Sequence, residues 1–154
     1  MGMYLRQFTS MVWEVNMSCN NNSHLVLEIN QGYPRGYSFT INQKHSSIDE
    51  EGNEIEVLTP LDLTGYTIEF RVKDAPYYKL NSLISKDITE EEDLTQGWIS
   101  EPTKGKFQIQ LTKEDTLKLP PRDYALCIYI KDKDTFTNIS GDGNRFAIFR
   151  VCTQ

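Results

Sequence analysis

GKFQIQLTKEDTLKLPPRDYALCIYI, residues 105–130, is the stretch on which the fold turns. Phe107, Ile109 and Leu111 alternate with Lys106, Gln108 and Gln110, the period of a strand with one wet face. Thr112 is placed to cap a short helical turn over 112–117. Pro120 and Pro121 stop any helix and return the chain to an extended path. A second strand follows, with Tyr124, Leu126, Ile128 and Ile130 on one face and Ala125, Cys127, Tyr129 and Lys131 on the other. Strand, capped turn, Leu-x-Pro, Tyr, strand is the way a Greek-key sandwich carries its chain from one sheet to the other. Tyr124 is either an ordinary strand aromatic or a tyrosine corner whose hydroxyl reaches backbone just upstream. Under both readings Pro120, Pro121 and Tyr124 are structural.

Working outward, the rest of the chain repeats the period-2 signal. Leu25, Leu27 and Ile29 alternate, as do Tyr37, Phe39 and Ile41, and then Ile68, Phe70 and Val72 after the turn Asp62-Leu-Thr-Gly-Tyr66. Residues 42–53 read as a polar loop, Ile55 and Val57 as a short strand, and 80–88 as holding another. Residues 135–140 and 145–151 read as a hairpin with Gly141-Asp-Gly-Asn144 at its tip. Eight to ten short strands with frequent Gly, Pro and Asn turns predict an all-β, immunoglobulin-like Greek-key β-sandwich over residues 24–154. Residues 1–23 form an N-terminal extended arm and hinge. Its apolar residues, Tyr4, Phe8, Val12 and Trp13 among them, precede the polar run Cys19-Asn-Asn-Asn-Ser23. Such a segment either folds back as an extra strand on its own domain or docks on a neighbouring subunit as an exchanged arm.

A chain of 154 residues fits one domain, and 38% hydrophobic content suffices for a core. The net charge of −6 is unevenly spread: residues 46–101 hold four basic against fourteen acidic side chains. Phosphate binding needs clustered Lys and Arg, so nucleic acid and anionic membranes are poor partners for that middle. Cys19, Cys127 and Cys152 have no C-x-x-C spacing, and free thiols are the expectation. The N-terminus lacks the continuous apolar run of a secretory signal, and no stretch approaches a membrane-spanning length.

Catalytic arrangements are not legible. His24 and His45 lie apart without ligands at metal spacing. Asp132, Asp134 and Asp142 fit solvated turns better than a calcium loop. Glu90, Glu91, Glu92 and Asp93 are adjacent in a loop, whereas glycosidase carboxylates must face each other across a cleft. The run reads instead as a solvated loop or a patch for a basic partner. No enzyme, metal or cofactor is expected. Tyr77, Tyr78 and Trp98 flank the acidic insertion over 80–98, and could form a sugar-stacking platform. Packing or a protein interface accounts for the same residues.

Asp62-Leu-Thr-Gly-Tyr66 before an alternating strand, Gly105-Lys at the head of a strand ending Leu111-Thr112, and Leu119-Pro-Pro before Tyr124 together resemble a known family. The chain is similar, over roughly residues 25–152, to immunoglobulin-like domains of tailed-phage virion proteins, such as the N-terminal domain of baseplate upper proteins and related tail or fibre-attachment proteins. Arg122-Asp123 stands where that family has a glycine region, and the 80–98 insertion is longer and more acidic. The resemblance implies a non-enzymatic structural or adaptor protein of a bacteriophage virion, oligomeric in the particle and assembled in the host cytoplasm. Its partners would be fibre, baseplate, neck or capsid subunits. The arm and the 90–93 run would be the partner-binding elements.

Overall fold

The computed structural model describes residues 10–13, 26–77, 79–132, 136–138 and 147–153, with backbone alone at 10–13, 43–45 and 136–138. In chain order these form β1 (Ser10–Trp13), β2 (Val26–Asn30), β3 (Arg35–Ile48), β4 (Glu54–Pro60), β5 (Thr67–Lys73) and β6 (Ile84–Ile88). Then come β7 (Gly97–Glu101), a 3-10 turn (Pro102–Lys104), β8 (Lys106–Leu111), α1 (Lys113–Leu117), β9 (Asp123–Lys131), β10 (Phe136–Asn138) and β11 (Ala147–Cys152). The fold is all-β with two sheets. The first has the order β1-β3-β8-β7, with β4 also on β3; the second has β2-β11-β9-β5-β6, with β10 also on β9. Among the described pairings only β2 with β11 is parallel.

The alternation read from the sequence is the alternation of burial. Tyr37, Phe39 and Ile41 of β3 join Phe107, Ile109 and Leu111 of β8 on the inner side of the first sheet. Ile68, Phe70 and Val72 of β5 join Leu126, Ile128 and Ile130 of β9 and Phe149 of β11 on the second. Phe39 stacks on Phe107 at 5.0 Å between centroids, and Phe70 meets Phe149 edge-on at 6.4 Å. Aromatic pairs of this kind contribute about 0.5–1.5 kcal/mol beyond their buried area. Central β9 is buried on both faces from Tyr124 to Ile130.

The crossing from β8 to β9 is built as its residues suggest. Thr112 caps α1 in an extended conformation, and the Asp115 carboxylate accepts the Thr112 N–H at 2.6 Å. Thr116, fully buried, accepts the Gly32 N–H through its hydroxyl, so the helix is tied to the β2–β3 turn. The Tyr124 hydroxyl donates to the Pro120 carbonyl at 2.7 Å, the back-bond of a tyrosine corner. The Arg122 guanidinium lies over the Tyr124 ring at 4.0 Å and pairs with Asp74. A second buried tyrosine, Tyr37, donates to the Glu28 carbonyl at 2.7 Å, and burial pushes its pKa up to about 12.

Three features depart from the sequence reading or extend it. Residues 42–48 are not loop: β3 runs on to Ile48 and pairs with β4 from Asn42↔Pro60 to Ile48↔Glu54. Backbone pairing needs no apolar alternation, so a polar stretch carried by hairpin hydrogen bonds leaves no period-2 signal. β10 and β11 are not a hairpin with each other. Both lie on β9, as Phe136↔Lys131 and then Ala147↔Leu126, while the 139–146 segment between them lies outside the described residues. Finally, β1 pairs with β3 of the same chain, Ser10↔Asn42 to Trp13↔Phe39. Cys127 and Cys152 are free thiols, the first of them buried.

Candidate docking surface

One glycine decides where β3 leaves the body. Ile41 donates its N–H to the Gly105 carbonyl and accepts the Leu61 N–H, so β8 and then β4 follow one another along the same edge of β3. A Cβ on Gly105 would stand 2.4 Å from the Ile41 oxygen, and its φ of 68° is left-handed, so only glycine fits this three-way junction. Beyond it, among the described residues, β3 and β4 continue as a two-stranded hairpin.

Burial changes at the same place. Tyr37, Phe39 and Ile41 are in the core, whereas Ser46, Ser47 and Ile48 are exposed, as is most of β4. Ile48 is 73% exposed, and Ile55 and Leu58 are exposed as well. The tip is well made: Asp49 Oδ1 accepts the N–H groups of Glu51 and Asn53, and Asp49 N–H donates to the Asn53 carbonyl. Residues 43–59 carry five carboxylates against one lysine. A lone two-stranded hairpin is marginal in water, and exposed apolar side chains grouped on a surface make it a candidate for interaction.

The acidic run lies on the β6–β7 connection. Glu90, Glu91, Glu92 and Asp93 are all exposed. Glu90 accepts the Gly65 N–H, and Asp93 Oδ1 accepts both the N–H and the hydroxyl of Thr95. Those bonds, the hydroxyl's first, hold the Asp93 carboxyl below the usual aspartate range. Beneath the run is a residue that sequence reasoning missed. Lys86 alternates with Ile84 and Ile88 on the inward face of edge strand β6 and is 3% exposed. Its Nζ meets Asp115 Oδ2 at 2.7 Å and donates to the Thr95 carbonyl at 2.7 Å, linking β6, the acidic loop and the cap of α1. Ile-Ser-Lys-Asp-Ile is a strand pattern with lysine at a core position, and that was the signal. An inward-pointing charge also discourages a stray strand from adding to such an edge.

The outer side of the second sheet holds a shallow polar depression of about 500 Å³ between Thr67, Glu69, Arg71, Asp87 and Lys131. Arg71 there is committed to Glu69 at 2.9 Å, Asp87 at 2.6 Å and the Lys86 carbonyl at 2.7 Å. Among the described residues no group of three or more His, Cys, Asp or Glu could hold a metal ion.

Of the three aromatics that could make a sugar platform, Tyr77 and Trp98 are among the described residues. Trp98, between core-facing Gly97 and Ile99, is turned to the outer side of the first sheet. The Tyr77 carbonyl accepts from Lys73, whose ammonium lies 5.8 Å from the Tyr129 ring on the outer side of the second. The Tyr77 backbone thus sits beside the second sheet and Trp98 in the first, and Tyr78 lies outside the described residues. So do Tyr4 and Phe8, while Val12 and Trp13 are placed by backbone alone, opposite Thr40 and Phe39. Pro120 supplies the carbonyl that Tyr124 binds, and Pro121 is exposed. Compared with protein-family models and with curated proteins, the chain matches none.

Proposed function

We propose that this chain is a non-enzymatic adaptor of a tailed-phage virion, an immunoglobulin-like Greek-key sandwich that presents a projecting acidic hairpin to a neighbouring subunit. The observation that carries the reading is the contrast within β3: its first half is core, and its second half, exposed at Ser46, Ser47 and Ile48, belongs with β4 to a hairpin that is acidic at its tip and on β4 and partly apolar. Support for the immunoglobulin-like topology comes from the two strand orders, the parallel β2–β11 pair and the Tyr124 back-bond. β1, with Val12 and Trp13, lies along β3 where the hairpin departs, and the arm that carries Tyr4, Phe8, Val12 and Trp13 serves as a partner-binding element. Glu90 to Asp93 add a second acidic contact, and both favour a basic partner surface.

The test replaces residues 44–58 with a short Asn-Gly turn and supplies the variant to particles assembling without the native chain. The shortened protein is expected to keep its β-sheet circular dichroism and cooperative melting, yet be absent from purified virions. Normal incorporation of the folded variant would overturn the docking role. Specific glycan-array binding by the native protein, lost in Trp98→Ala, would replace it with a carbohydrate-binding module.

A further inference from the structure

The connection over residues 89–96 passes from β6 of the second sheet to β7 of the first, and it is tied to both. The Thr89 carbonyl accepts the Ile99 N–H at 2.6 Å. Gln96 bonds in two directions: its carbonyl accepts the Gln110 N–H of β8, and its Oε1 accepts the Asp87 N–H of β6, each at 3.1 Å. Beneath this strap is buried Lys86, whose ammonium meets the Thr95 carbonyl and the Asp115 carboxylate at 2.7 Å each. Asp115 in turn accepts the Thr112 N–H, and the Thr116 hydroxyl accepts the Gly32 N–H. Lys86 thus stands between the strap and the cap of α1. We propose that Lys86 is a charge-dependent latch, through which the 89–96 strap and the cap of α1 open and close as one unit.

Water is what couples the two. A buried ammonium is costly unless its partners stay in place. With the strap closed, water is kept from Nζ, and its attraction to Asp115 acts at low dielectric. When the strap lifts, Lys86 is hydrated, its pull on Asp115 weakens, and the Thr112 N–H loses an oriented acceptor. In the other direction, removing the Asp115 charge leaves a buried ammonium with one carbonyl, and lifting the strap is how it regains water. The same charge reaches the acidic run: the Asp93 carboxyl, held down first by the bonds from Thr95, is held down also by Lys86. Arg71, the cation of neighbouring β5, is engaged with Glu69 and Asp87 on the outer face and does not stand in for it. Because the strap carries Glu90 to Asp93, a partner that takes up this run is felt at α1 and, through Thr116, at the β2–β3 turn. That consequence rests on the docking reading above. The latch itself does not, and its test uses the free chain, so either can fail alone.

Amide hydrogen exchange of the full chain tests the latch. In the unsubstituted chain, the Gly97 N–H, bonded to the Asp93 carbonyl, and the Thr112 N–H, bonded to Asp115, are expected to exchange through one opening. Both should then show the same dependence on low urea, and different slopes would overturn the joint opening. Asp115→Asn keeps an oxygen for the Thr112 N–H but removes the counter-charge. It should speed exchange at Gly97 about tenfold or more and leave Phe39 and Phe149 as they were. Lys86→Met keeps a side chain of similar length without the charge, and in that background Asp115→Asn should leave Gly97 unaltered. Conversely, Gln96→Ala, which frees the strap from Asp87, should speed exchange at Thr112 only while Lys86 is present. Gly97 unchanged by Asp115→Asn, or Thr112 unchanged by Gln96→Ala, would overturn the latch. So would equal effects with and without Lys86, or a rise of the same size at Phe39 and Phe149.

Discussion

Asp-Leu-Thr occurs twice in this protein, at Asp62-Leu63-Thr64 and at Asp93-Leu94-Thr95, and the two copies make the same turn with opposite outcomes. In both, Asp Oδ1 accepts the Thr N–H, at 2.9 Å and 2.8 Å, and the Thr hydroxyl, at 2.6 Å and 2.7 Å. Yet Leu63 is fully buried and Leu94 is 74% exposed. The first turn enters β5, with Leu63 N–H bonded to the Pro102 carbonyl at 2.8 Å and its side chain between the sheets. The second belongs to the acidic connection, where the core position is taken by Lys86, reaching out to the Thr95 carbonyl. Three residues are enough to specify a local hydrogen-bonded turn. They do not say which of its sides the core will need.

That comparison can be broken at several strengths. The largest difference is expected at the leucines. Leu63→Ala should cost about 2–5 kcal/mol, as truncation in a packed core does, while Leu94→Ala should stay within about 0.5 kcal/mol. Urea denaturation of the two variants measures both, and equal losses would mean that Leu94 also packs in solution. Next come the glycines that close the turns. Gly97 has a φ of 117°, and a Cβ there would stand 2.1 Å from the Gln108 oxygen, so Gly97→Ala should cost about 2–4 kcal/mol. Gly65 has a φ of 79° with open space around it, so Gly65→Ala should cost only about 1–2 kcal/mol, the left-handed backbone alone. A reversed order in thermal melts would place the strain elsewhere.

The smallest effect should be the same at both turns. The Thr hydroxyl bond is the first cause holding each Asp carboxyl below its ordinary range. A lowered folded pKa contributes stability above the unfolded value of about 3.9, and that contribution fades as pH falls through the folded value. Thr64→Val and Thr95→Val should therefore raise the pKa of Asp62 and Asp93 alike in an NMR titration. A response at Asp62 alone would show that burial of Leu63, and not the local bonds, sets its carboxyl.

The half-and-half character of β3 carries the same lesson into the docking surface. Tyr37, Phe39 and Ile41 announce their burial by alternation, but nothing in Asn42 to Ser47 marks those residues as strand, because hairpin pairing is a backbone property. The face-sharing of Ile48 and Leu58 emerges only from the β3–β4 register. The acidic character of the hairpin and of residues 90–93 was visible from composition. The placing of the Tyr77 backbone beside the second sheet and of Trp98 in the first was not, since residues flanking one insertion need not join the same sheet.

Local patterning alone settled the strands with a wet and a dry face, the cap at Thr112, the break at Pro120 and Pro121, and the Asp-x-Thr turns. These depend on periods and hydrogen bonds spanning a few residues. The pairing of β10 and β11 with β9, the departure of the hairpin at Gly105, and the burial of Lys86 against Asp115 belong to the assembled fold. Each of those is decided by which distant backbone or charge arrives alongside, and contacts between residues far apart in the chain leave no period to read.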